Sequence, residues 1–201
     1  MIRILKGGLM SDNPEDSQNP LYLALLGHPS MPGSAQKRFH LFLPEKQADL
    51  IDSKVAGSRN TAFILLLFAG LDLLKRRAEK KGALFVNAEK EIRERGYVLD
   101  EKLAGDLLDD LKSPLPKEPS ITCLSLENRM PTLPRKVFTL ILPAKLAKEI
   151  DERSDGSRNS VFVVLLSIGL EVYRRRSTQE KYGQVIHVRD FFEKEGYGGT
   201  K

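Results

Sequence analysis

At 201 residues, with 41% hydrophobic and 29% charged side chains, the chain is long enough for one sizeable domain or two small ones, and its balance excludes a fibrous or wholly disordered protein. The formal net charge of +5 and pI of about 9.3 form a mild basic excess, compatible with a polyanionic partner. A single cysteine, Cys123, excludes an internal disulfide framework and fits a reducing, cytoplasmic setting in which the thiol is a small core filler.

Residues 1–36 are rich in Ser, Asn, Pro and Gly and read as a flexible N-terminal arm. Its opening apolar run is too short for a secretion signal, and residues 21–26 are expected as a short helix or docking segment. From residue 38 to 43 the chain alternates: Phe39, Leu41 and Leu43 face one way, and Arg38, His40 and Phe42 the other. That period predicts a short, half-buried strand. Pro44 ends the strand and suits a helix's first turn, where a missing N–H is harmless. The spacing of Ala48, Ile51 and Val55 predicts a helix over 45–55, with Gly57 as its stop. Ser58 is the expected N-cap of a second helix running to about Arg77.

Residues 82–134 read as an α-rich extension and a Pro-rich linker: a strand over Leu84–Val86, charged helices including residues 99–111, then Pro114, Pro116, Pro119, Pro131 and Pro134. A second alternating strand follows over 137–142, then a helix over 143–154, a break at Gly156, a cap at Ser157 and a helix to about Arg176. This is a repeat at an offset of 99: residues 38–77 and 137–176 share 19 identities in 40 positions. Phe39-His-Leu-Phe-Leu-Pro matches Phe138-Thr-Leu-Ile-Leu-Pro when aligned on the aromatic, and Gly57-Ser-Arg-Asn matches Gly156-Ser-Arg-Asn. The copies span 37–81 and 135–178, and the C-terminal extension 179–201 resembles the segment after the first copy. Residues 37–77 carry eight Lys/Arg against four Asp/Glu, and residues 135–176 nine against five, so each copy holds +4 and the rest of the chain −3. The basic excess therefore belongs to the repeated units.

A strand of six residues cannot satisfy its backbone alone. The second helix, with Phe63, Ile64, Leu65, Leu66, Leu67, Phe68, Leu71, Leu73 and Leu74, is apolar around most of its circumference and needs cover on every side. Both needs are met if the two copies intertwine, within one chain or between two, as an antiparallel ribbon over four helices. The apolar stretches 62–74 and 161–173 fall short of the ~20 residues a membrane span requires, so a membrane-associated protein is the weakest reading.

Strand, Pro, helix, Gly-Ser-Arg-Asn turn and long apolar helix together resemble the ribbon-helix-helix superfamily of Arc, MetJ and CopG repressors. The likeness covers about forty residues in each copy. The tandem arrangement resembles TraY-like proteins of plasmid conjugation. The resemblance implies a fold that is mainly α with one short two-stranded antiparallel ribbon, the copies forming an intramolecular pseudo-dimer. It implies sequence-specific double-stranded DNA binding, as a transcriptional repressor or as an accessory factor at a plasmid transfer or partition site.

On that resemblance the ribbon enters the major groove. The base-reading positions are Arg38, His40 and Phe42 with Val137, Thr139 and Ile141. Ser58, Arg59 and Asn60, and Ser157, Arg158 and Asn159, open the long helices and are expected on phosphate, with Lys37, Arg135 and Lys136 flanking. Three of the six reading positions are apolar, which also admits a protein-interaction module of the same fold that reads no DNA. The extensions offer a surface for a protein partner or for further assembly on DNA. The Lys75-Arg76-Arg77 and Arg174-Arg175-Arg176 runs read as helix C-terminal cations. The scattered His28, His40 and His187, and the lack of a phosphate loop or a catalytic constellation, point to no enzyme, cofactor or metal.

Overall fold

The computed structural model describes residues 21–27, 35–95, 122–127, 133–179 and 183–197. In the first half, β1 (Leu23–Leu26) precedes β2 (Gln36–Pro44), α1 (Glu45–Lys54), β3 (Val55–Ala56), α2 (Arg59–Lys81), β4 (Leu84–Val86) and α3 (Ala88–Arg95). The second half repeats the order: β5 (Leu124–Leu126), β6 (Arg135–Pro143), α4 (Ala144–Arg153), β7 (Ser154–Asp155), α5 (Arg158–Gln179), β8 (Gln184–His187) and α6 (Val188–Lys194).

β2 and β6 pair antiparallel over their full length, with His40 opposite Thr139 at the centre. These two residues are themselves 99 apart, so a pseudo-two-fold axis passes between them. Leu41, Leu43, Leu140 and Leu142 are buried on one face, and the alternate residues look outward. Under that ribbon the long helices cross at glycines. A Cβ on Gly70 would lie 2.3 Å from the Leu165 carbonyl oxygen, and one on Gly169 would lie 2.0 Å from that of Leu66. Ring pairs obey the same axis: Phe39 meets Phe162 edge-on at 5.4 Å, and Phe63 meets Phe138 at 5.4 Å. Every one of these contacts joins one copy to the other.

The expected fold class is corrected by the remaining sheets. Among the described residues are six helices and eight strands in three sheets, two of them parallel, which makes the chain α/β rather than mainly α with a lone ribbon. One parallel sheet runs β3-β1-β8 and the other β4-β5-β7. They are equivalent: each joins the strand before a copy, the two residues after that copy's first helix, and the strand that follows the other copy's long helix. Residues 21–26, expected as a helix or docking segment, therefore supply a central strand, with Leu23 and Leu25 buried. The stretch expected as linker supplies the equivalent β5, and Leu124 is buried there. Strands this short show no period of their own; a neighbour's open edge makes them. The expected helices of residues 99–111 lie outside the described residues.

Element ends also move. The first helix stops at Lys54, because Val55 and Ala56 turn extended to join β1. Gly57 then turns at a φ of +124°, pressed so near β1 that a Cβ would stand 2.7 Å from that of Leu25. The long helix runs on from Arg77 to Lys81, since Ala, Glu and Lys are strong helix formers, and ends at Gly82 with a φ of +77°. The Lys75–Arg77 run consequently lies inside α2, while Arg176 falls in the last turn of α5 as expected. The runs form ion pairs, Lys75 with Glu149 at 2.5 Å, Arg76 with Asp72 at 2.9 Å, Arg174 and Arg175 with Glu171. Among the described residues no helix is long and apolar enough to cross a membrane. Cys123 is fully buried, and burial pushes its thiol pKa up while nearby Arg153 opposes the rise.

One buried polar contact breaks the pseudo-symmetry. Gln47, where the second copy has Leu146, donates through Nε2 to the Val163 carbonyl and to Ser167 Oγ, both at 2.9 Å. Its Oε1 is buried without a partner. Ser167 stands where the first copy has Phe68, so Gln47 finds its hydroxyl only in a pairing of unlike copies. Gln47→Leu is expected to raise stability by about 1 kcal/mol, seen as a higher urea midpoint, because it removes an unsatisfied buried oxygen at similar volume. A lower midpoint would show that the hydrogen bonds outweigh the orphaned oxygen.

Candidate nucleic-acid interface

The outward face of the ribbon gathers all six base-reading candidates in three cross-strand pairs: Arg38 opposite Ile141, His40 opposite Thr139 and Phe42 opposite Val137. Arg38, His40, Val137 and Thr139 are exposed, and Phe42 and Ile141 are half-buried. Val137 is 59% exposed, an apolar group left in water toward one end of the ribbon. The guanidinium of Arg135 lies 4.9 Å from the Phe42 ring centroid.

The residues expected on phosphate divide into two groups. Asn60 and Asn159 turn to the ribbon itself. Asn60 Oδ1 accepts from the Ile141 N–H at 2.9 Å, and its Nδ2 donates to the Ile141 carbonyl at 3.0 Å. Asn159 does the same to Phe42, at 2.9 and 3.0 Å. Each asparagine thereby supplies a backbone-like donor and acceptor along one outer edge of the ribbon, reaching across to the opposite copy. Ser58 stands at the N-cap of α2 but makes no side-chain cap bond, whereas Ser157 Oγ accepts from the Ser160 N–H at 3.2 Å. The expected capping role is therefore met by one serine and not by the other.

Arg59 and Arg158 stay on the surface, 53% and 52% exposed, beside the ribbon. Each is held from two sides. Arg59 donates through Nε and Nη2 to both Asp52 carboxylate oxygens at 2.9 and 3.0 Å, and lies 5.1 Å from the Phe138 ring. Arg158 matches it on Asp151 at 2.8 and 2.9 Å, and lies 5.2 Å from Phe39. The fork leaves Nη1 outside the carboxylate, so a planar donor is fixed in place before any anion arrives. A shallow hollow adjoins each arginine: about 330 Å³ lined by Ile51, Asp52, Gly57 and Arg59, and about 260 Å³ lined by Ile150, Asp151, Gly156 and Arg158. Lys37 and Arg135 are exposed at the ribbon's ends. Lys136 pairs with Asp49, whose carboxylate holds the lysine pKa above its usual range.

Asp49, Asp52 and Asp151 are absent from the expected site. Asp52 and Asp151 are identical at the repeat offset, seven residues before their arginines, and that match was the available signal. Asp49 has Lys148 in its place in the second copy and carries no such signal. Among the described residues, no group of three or more His, Cys, Asp and Glu side chains is placed to hold a metal ion. No protein-family model, curated protein or solved structure matches the chain.

Proposed function

We propose that the chain binds double-stranded DNA, laying the β2–β6 ribbon in the major groove and the arginines at the openings of α2 and α5 on the flanking phosphates, as the resemblance to ribbon-helix-helix proteins implies. The observation that carries the reading is the matched pair Arg59 and Arg158. Capping a helix needs no arginine, yet both copies place one, oriented by an aspartate and an aromatic ring, beside the exposed ribbon. The ribbon width suits the groove, and Arg38, His40 and Thr139 offer donors and acceptors to base edges. The biological role is that of a repressor or of an accessory factor at a plasmid transfer or partition site.

Binding to a random duplex should weaken steeply as salt rises, because phosphate contacts release counterions. Arg59→Ala with Arg158→Ala should weaken binding to all sequences alike and lower the salt slope by about one for each arginine. Stability should hardly change, since exposed ion pairs are worth about 0–1 kcal/mol. An unaltered slope would remove the phosphate clamp.

The exposure of Val137, beside half-buried Phe42 and Ile141, favours a second reading in which a protein covers this face. Absence of any duplex binding at low salt would favour it.

A further inference from the structure

Part of the charged frame around the ribbon obeys the pseudo-two-fold axis, but Arg135, whose equivalent is Gln36, and the face inside the frame do not. Lys37 has Lys136 as its equivalent, and Arg59 has Arg158. Positions 38, 40 and 42 correspond to 137, 139 and 141, yet Arg-His-Phe in order is set against Val-Thr-Ile. The pairing makes the consequence concrete. One end of the face holds the Arg38 guanidinium beside Ile141. The centre holds His40 and Thr139. The other end holds Phe42 and Val137, carbon side chains of which Val137 is 59% exposed, while the Arg135 guanidinium lies 4.9 Å from the Phe42 ring. Successive facing pairs are about 6.8 Å apart along a strand, about two base-pair steps, so the two ends lie about four steps apart.

We propose, resting on the DNA reading above, that this chain recognises a non-palindromic duplex site: a guanine under Arg38 and a thymine methyl group under Val137, about four base pairs away. An arginine fork fits guanine O6 and N7. The Val137 side chain fits the thymine C5-methyl, and it leaves the polar edge of a G·C pair desolvated without a partner. Because both strands belong to one polypeptide, the unequal ends are permanent. The protein therefore sits on its site in one orientation, which a dimer of identical copies on a palindrome cannot define.

The test is selection of bound duplexes from a random pool with the full chain, then affinity measurements on the selected site and on the two palindromes made by doubling each half. The expected result is an asymmetric site, with each palindrome roughly 5- to 150-fold weaker, the discrimination of a good base contact. Arg38→Val should erase the guanine preference and weaken binding to the selected site by roughly 5- to 150-fold. Val137→Arg, at an exposed position, should create a guanine preference in the apolar half and shift the optimum toward a palindrome. A selected site that is already palindromic, or is unchanged by both substitutions, overturns the proposal while the DNA reading stands. A pool from which nothing is retained at low salt overturns the DNA reading and the proposal with it.

Discussion

Gly169→Ala is expected to lower the stability of the folded chain by about 1–3 kcal/mol, and Gly70→Ala by a similar amount. Two effects compete. Alanine is the better helix former by about 1 kcal/mol, which alone would stabilise α5 or α2. Against it stands the crossing of those helices, where a new Cβ would fall 2.0 Å from the Leu66 carbonyl oxygen, or 2.3 Å from that of Leu165. The obstacle is backbone, so no side-chain rotation relieves it, and the helices must move apart. Moving them loosens the shared core of Leu66, Leu67, Leu165 and Leu166, all at most 1% exposed. The clash therefore wins over the propensity. Urea unfolding should show lower midpoints for both single variants, and for the double variant a loss smaller than their sum, because helices already separated no longer obstruct the second methyl. Gly169→Leu should abolish folding. Midpoints at or above the parent's would mean that these helices do not cross at their glycines.

What the sequence made legible follows from length and period. The ribbon strands were readable because six residues of alternation suffice to place Leu41, Leu43, Leu140 and Leu142 on one side. The long helices were readable from their all-round apolar surface, and the need for two copies to cover each other followed from it. Of the parallel sheets only β4 was readable, as the strand expected over Leu84–Val86. β3 and β7 are two residues long, and β1, β5 and β8 are three or four, too few for any periodicity. Their order also depends on chain crossings, since β8 follows the second copy but pairs beside the first. At the site, the repeat placed Arg59 and Arg158 at the openings of the long helices, and the resemblance implied their place beside the ribbon. The roles of Asn60 and Asn159 were not accessible, because asparagine at a helix start serves a cap, a phosphate or a neighbouring strand equally well, and only the tertiary crossing selects the strand.

That selection makes the asparagines the other pair of positions with a large expected effect. Ile141 and Phe42 point their backbone N–H and C=O away from the partner strand, toward the outer edges of a ribbon that has no third strand among the described residues. In part-buried surroundings these groups need partners, and one asparagine supplies both a donor and an acceptor to each residue. Asn60→Ala or Asn159→Ala leaves an N–H and a C=O unsatisfied and should cost about 1–3 kcal/mol. Asn60→Asp is the sharper variant. It keeps the shape and the acceptor for the Ile141 N–H but replaces the amide donor by a carboxylate oxygen facing the Ile141 carbonyl. Repulsion between the two oxygens should make it at least as damaging as alanine near neutral pH. Lowering the pH through the carboxyl's titration should recover part of the loss, because the protonated acid donates again. Alanine offers no such recovery. Equal pH profiles for the two variants would show that the edge clamp is not what holds the ribbon to the opposite copy.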